Sequence, residues 1–130
     1  MIFDTTFLID VMQKDEKALS LLHLFGEKSE YGLVSAVSIF ELHSGLARSG
    51  KSLSEQNKVK EVLDKQRIIP IDALLAENAG DINGALITRG QMIGSMDCLI
   101  AATALRFGET VLTRNVKDFQ RISGLKVETY

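Results

Sequence analysis

Five short apolar runs, with longer stretches of helical spacing between them, restrict this chain to an alternating α/β fold. The runs are Met1–Phe3, Gly32-Leu-Val-Ser-Ala36, Arg67-Ile-Ile-Pro-Ile71, Thr110-Val-Leu-Thr113 and Leu125-Lys-Val-Glu-Thr129. Each has strand length, and Pro70 predicts the end of the third or a bulge there. The fifth alternates as a half-exposed edge strand does. Between them, Ala18, Leu21, Leu22 and Phe25 repeat at helical spacing, with Gly26 as the expected stop. Val59, Val62 and Leu63 mark a short amphipathic helix. Leu75, Ala79, Ile82 and Leu86 trace one face of a longer helix that Asp72 is placed to cap. Ile100, Ala101, Ala104 and Leu105 mark another, ending at Gly108. Strands alternating with helices imply a parallel sheet covered on both faces. The expected architecture is a three-layer α/β/α sandwich with about five central strands.

The 130 residues form one expected domain, 1–130, with no repeat, no low-complexity segment and no linker. A single cysteine, Cys98, excludes an internal disulfide, and two histidines 20 positions apart, His23 and His43, exclude a Cys/His zinc site. No apolar run approaches the roughly 20 residues of a membrane helix. Asp4 and Asp10 interrupt the apolar start, so no signal peptide is read there and the protein is expected in the cytoplasm. Lys plus Arg is 15 against 17 Asp plus Glu, a net charge of −2. That balance excludes a protein gripping nucleic acid by bulk positive charge; a polyanion would have to meet a local basic patch or a bound cation.

Open α/β sheets bind ligands beyond the carboxyl ends of their strands. Four acids fall there: Asp4 ends the first strand, Glu41 lies in the first turns after the second, and Asp118 lies just past the fourth. Asp97 opens the apolar helix leading into that fourth strand. Three have structural explanations. Ser38-x-x-Glu41 matches a capping box, Asn115-x-x-Asp118 a weaker version of it, and Asp97 suits the first turn of a helix. Asp4 does not fit so easily, because aspartate is depleted in strands. Asp97 shares a helix face with Ile100, Ala101 and Ala104, and a carboxylate on a buried face needs a partner. No Lys or Arg is positioned by sequence to pair with all four. A hard divalent cation would do so, and oxygen-only ligation suits Mg²⁺ or Mn²⁺.

The segments carrying these acids resemble the PIN-domain family, and especially the toxin nucleases of VapBC toxin–antitoxin pairs. They are Ile2-Phe-Asp-Thr-Thr-Phe-Leu-Ile-Asp10, Ser35-x-x-Ser-Ile-x-Glu-Leu-x-x-Gly45, Ile93-Gly-x-x-Asp-x-Leu-Ile-Ala-Ala102 and Leu112-Thr-Arg-Asn-x-x-Asp-Phe119. They run in the family's order over nearly the whole chain; from about Gly50 to Arg89 only the helical pattern matches. The resemblance implies Asp4, Glu41, Asp97 and Asp118 around one or two Mg²⁺ or Mn²⁺ ions, hydrolysing RNA. The hydroxyls of Thr6 and Thr113 and the amide of Asn115 match supporting positions, and Thr6 stands where serine is also common. A small antitoxin that blocks the acidic groove and a homodimer are implied as well. Asp4 and Asp97 are the first choice as ligands, and Arg114, just past the fourth strand, as a phosphate contact. Two other readings compete: a non-catalytic interaction module with the same fold, and a phosphatase or phospho-receiver, which Thr6 opposes by standing where a second Asp belongs. Cys98, beside Asp97, reads as a buried thiol rather than a nucleophile, and His23 and His43 as surface or packing residues.

Overall fold

A computed structural model describes all 130 residues. Its centre is β1 (Ile2–Phe3), which pairs in parallel with β2 (Leu33–Ser35) on one side and β4 (Thr110–Leu112) on the other. β3 (Arg67–Ile69) extends the sheet beyond β2, and β5 (Lys126–Glu128) beyond β4. The order is β3-β2-β1-β4-β5, all parallel. The strands are the five expected, trimmed at their ends; β3 stops directly before Pro70, which has no N–H for the ladder.

Side chains alternate across this sheet with period two. Ile2 and Val111 face one layer, in which Leu75, Ala79 and Leu86 of α5 (Ala73–Thr88) meet Ile100, Ala101 and Ala104 of α6 (Ser95–Phe107). Phe3, Val34 and Leu112 face the other, against Phe7, Leu8 and Val11 of α1 (Thr5–Met12), Ala18 of α2 (Glu16–Glu27) and Val59 of α4 (Leu53–Leu63). α3 (Ala36–Arg48) reaches both layers, Val37 entering the first and Leu42 and Leu46 the second. No buried side-chain polar atom lacks a partner.

Caps set the helix ends. Asp72 accepts from the Leu75 N–H at 2.9 Å, and Gly108, at φ +65°, closes α6 in the left-handed region that suits glycine. Gly26 does not stop its helix: α2 runs through to Glu27, and the chain turns at Ser29, φ 53°. The other departure is α1. The apolar start suggested a strand ending at Asp4, and the strand is there, but the chain turns into a helix at the next residue, with Asp4 as N-cap. Gly32 marks a close approach: a Cβ there would lie 2.0 Å from Cε2 of Phe3.

Candidate active site

The strand order reverses at β1. Chain growth proceeds outward through β2 and β3, then returns to the opposite side of β1 with β4. Loops leaving β1 and β4 diverge at this point, opening the crevice in which such sheets bind ligands. Asp4 leaves β1 and Thr113, Arg114 and Asn115 leave β4, so the switch point lies between them.

Asp4 is 2% exposed, and both its carboxylate oxygens accept hydrogen bonds. Its Oδ1 accepts from the Thr5 N–H at 2.7 Å, which caps α1. Its Oδ2 accepts from the hydroxyls of Thr6 and Thr113, both at 2.7 Å. Thr113 in turn accepts from the Asn115 N–H at 2.9 Å. The Asn115 side-chain amide donates to Asp118 Oδ2 at 3.1 Å and to Asp97 Oδ2 at 3.3 Å. On the other flank, the buried Thr5 hydroxyl donates to Glu41 Oε1 at 2.7 Å and stands 2.9 Å from Ser38 Oγ. One hydrogen-bonded chain therefore links all four acids.

Two of the structural explanations for these acids fail. Ser35, not Ser38, caps α3, through the Val37 N–H at 3.4 Å; Ser38 is buried inside the helix and meets Thr5, so Ser38 and Glu41 form no capping box. Asn115 does stand at the N-cap of α7 (Val116–Phe119), but its side chain makes no capping bond and turns to the carboxylates instead. Asp97 does lie in the first turn of α6, at a helix start without a side-chain cap.

Negative charge is concentrated here. The Asp97 carboxyl is pushed up to about 7, first by burial and then by the charges of Asp4, Glu41 and Asp118. No three acid, His or Cys side chains converge tightly enough to make a ready-formed ion cage. Neutral hydroxyl and amide donors occupy the positions between the carboxylates. The donor set itself is all oxygen, hard and anionic, with no thiolate or imidazole, and fits Mg²⁺ or Mn²⁺.

Two residues that the sequence did not assign to the site join it. Thr5 holds Glu41 and Ser38 meets Thr5, and the only signals for them were the Thr5-Thr6 pair and the serine three positions before an acid. Arg114, expected as a possible substrate contact, pairs here with Asp10 and Asp15, at 2.9 Å each. His23 and His43 are exposed on their helices. Cys98 is buried beneath the site; its thiol is pushed up chiefly by burial, opposed by the Asn83 amide, with the Asp97 charge a smaller contribution.

The fold is thus a five-stranded parallel α/β sheet with four acids gathered at its switch point. The PIN-domain family model matches residues 1–125, and the chain belongs to that family. A relative in Rickettsia felis, Ribonuclease VapC2, is 32% identical over 97 residues, covering 75% of this chain and 72% of the relative. Among solved structures, VapBC2 from Rickettsia felis bound to a DNA fragment from its promoter superposes with a TM-score of 0.89 at 28% identity, covering 100% of this chain and 99% of that one. A toxin–antitoxin complex from Klebsiella pneumoniae superposes with a TM-score of 0.76 at 26% identity, covering 98% and 95%. No helix is long and apolar enough to cross a membrane.

Proposed function

We propose that this chain is a Mg²⁺- or Mn²⁺-dependent endoribonuclease, the toxin of a toxin–antitoxin pair, with Asp4, Glu41, Asp97 and Asp118 as its ion-holding carboxylates. One observation carries the reading: the charges of Asp4, Glu41 and Asp118 all bear on the half-buried Asp97 carboxyl. Such a cluster is costly unless a cation offsets it.

A bound divalent ion supplies neutralising charge for the phosphate and a more acidic water as nucleophile. The chain's own residues arrange the rest. Asp4 Oδ1 accepts only the cap N–H and keeps a lone-pair direction free for an ion. Thr6 and Thr113 fix the plane of that carboxylate through Oδ2. Asn115 holds Asp97 and Asp118 by one amide, so neither carboxylate swings freely when charged. Thr5 fixes Glu41 through Oε1 and leaves Oε2 to accept a proton or orient water. The relatives named as ribonucleases support RNA as substrate, and those solved as toxin–antitoxin complexes support a small protein partner that covers the acidic rim. Exposed Leu74 and Ile87 on α5 and Met92 after it, each more than half accessible, are apolar side chains that the proposed homodimer could cover, though they do not share one helix face.

Cleavage of labelled RNA by the purified protein tests the reading. Activity with millimolar Mn²⁺, its loss in EDTA, and its loss in Asp97→Asn with the fold intact are expected. Mn²⁺ should also raise the melting temperature, since an ion at a hundredfold its Kd stabilises the folded state by about 2.7 kcal/mol. Equal melting curves with EDTA and with Mn²⁺ would leave the interaction-module reading in its place.

A further inference from the structure

Arg114 sits between Thr113 and Asn115, and both neighbours bond to the acids. Its own side chain turns the opposite way. Nη1 meets Asp10 Oδ2 on α1 and Nη2 meets Asp15 Oδ2 at the N-cap of α2, each at 2.9 Å. The guanidinium lies over the Tyr130 ring, 4.7 Å from its centroid. The Tyr130 hydroxyl donates to the same Asp10 oxygen at 2.6 Å, and its ring meets Phe7 edge-on at 5.0 Å. Asp15 spends its other oxygen on the Ala18 N–H at 3.0 Å. One side chain thus ties the β4–α7 loop to α1, to the start of α2 and to the segment after β5.

The loop needs such an anchor. α7 has only four residues, too few to be held by its own ladder, and its N-cap side chain is given over to Asp97 and Asp118. An arginine that pairs with two carboxylates and lies on an aromatic face is held in place, with its charge already met by Asp10 and Asp15. The Arg114 hydrogen bond holds the Asp15 carboxyl below its usual range, while burial and the bond to Asp10 push the Tyr130 phenol up, so the donor stays protonated. A misplacement of about 1 Å in a catalytic array can cost about a hundredfold in rate, so fixing this loop bears on turnover.

We propose that Arg114, clamped by Asp10, Asp15 and Tyr130, is a positioning residue that sets Thr113 and Asn115 against the four acids. The proposal rests on reading those acids as the nuclease site.

Two measurements on wild type, Arg114→Met, Arg114→Lys and Tyr130→Phe test it. The first is amide exchange in the metal-free, ¹⁵N-labelled protein. The Asn115 N–H, bonded to Thr113 Oγ1, should exchange at least about tenfold faster in Arg114→Met, with α5 and α6 amides unchanged. The second is RNA cleavage with Mn²⁺ at two salt concentrations. Arg114→Met should lower kcat about tenfold or more and leave KM within about twofold, a loss confined to the transition state. Arg114→Lys should recover part of kcat, and Tyr130→Phe should move both readouts the same way by a smaller factor. If Arg114→Met does not fold, Tyr130→Phe, which removes one hydroxyl, carries the test alone. Wild-type exchange at Asn115 in a folded variant would overturn the proposal. So would a raised KM with kcat kept and a shallower salt dependence, the signature of an arginine on phosphate. A wild type with no Mn²⁺-dependent cleavage would instead remove the nuclease reading, and the exchange measurement would still decide whether the clamp holds the loop.

Discussion

Replacing Asp97 by asparagine should make the metal-free protein more stable above about pH 7, by an amount that grows as pH rises from 3.8 toward about 7 and then holds constant. The wild-type carboxyl moves from 3.8 to about 7 on folding, through burial and three neighbouring negative charges. A group whose folded pKa is raised binds more protons when folded. Wild-type stability therefore falls as pH rises between those values and levels off above about 7. At 1.36 kcal/mol per pH unit, a gap of about three units sets a ceiling of roughly 4 kcal/mol. Solvent reaching this half-buried carboxyl screens part of it, leaving about 2 kcal/mol between pH 5 and pH 8. Asparagine keeps a carbonyl to accept from Asn115 and carries no charge, so its own curve lacks this slope. Urea unfolding of both proteins in EDTA at pH 5, 6, 7 and 8 gives the difference directly, with titrating groups remote from the four acids cancelling. A variant-minus-wild-type difference that is flat with pH would refute the argument, as would a variant less stable than wild type at pH 8. The same substitution should end cleavage, so stability and activity are expected to move in opposite directions.

Thr5→Val removes the buried hydroxyl shared by Glu41 and Ser38; it should cost about 1–2 kcal/mol in urea unfolding and lower RNA cleavage more than that loss explains. Gly32→Ala forces a methyl into the Phe3 ring and should cost about 1–3 kcal/mol, and Phe3→Leu in the same chain should recover part of it, read by a double-mutant cycle. Cys98, buried and with its thiol pushed up, should react with iodoacetamide far more slowly in the folded protein than in urea; equal rates would place it at the surface.

Local pattern was enough to reveal much of this molecule. Runs such as Thr110–Leu112 are too short for helices and too apolar for loops, and Asp72 and Gly108 announce their helix ends by capping chemistry alone. The β/α alternation placed all four acids at the carboxyl end of the sheet, because every strand of a parallel sheet points the same way. Helix α1 was hidden because its eight residues include Phe7, Leu8, Ile9 and Val11, which read equally well as the continuation of a strand.

What the amino-acid sequence determined by itself, then, is the set of elements, the rim on which the acids gather and the hard-cation chemistry their side chains favour. The tertiary structure alone decided that β4 returns beside β1, which brings Thr113 to Asp4 across 109 residues. It alone turned Ser38 from an apparent cap into a partner of Thr5, and drew Arg114 to Asp10 and Asp15. Spacing along a chain reports which residues share a helix turn or a strand face; it carries no information about which charge, far off in sequence, will be nearest once the sheet has closed.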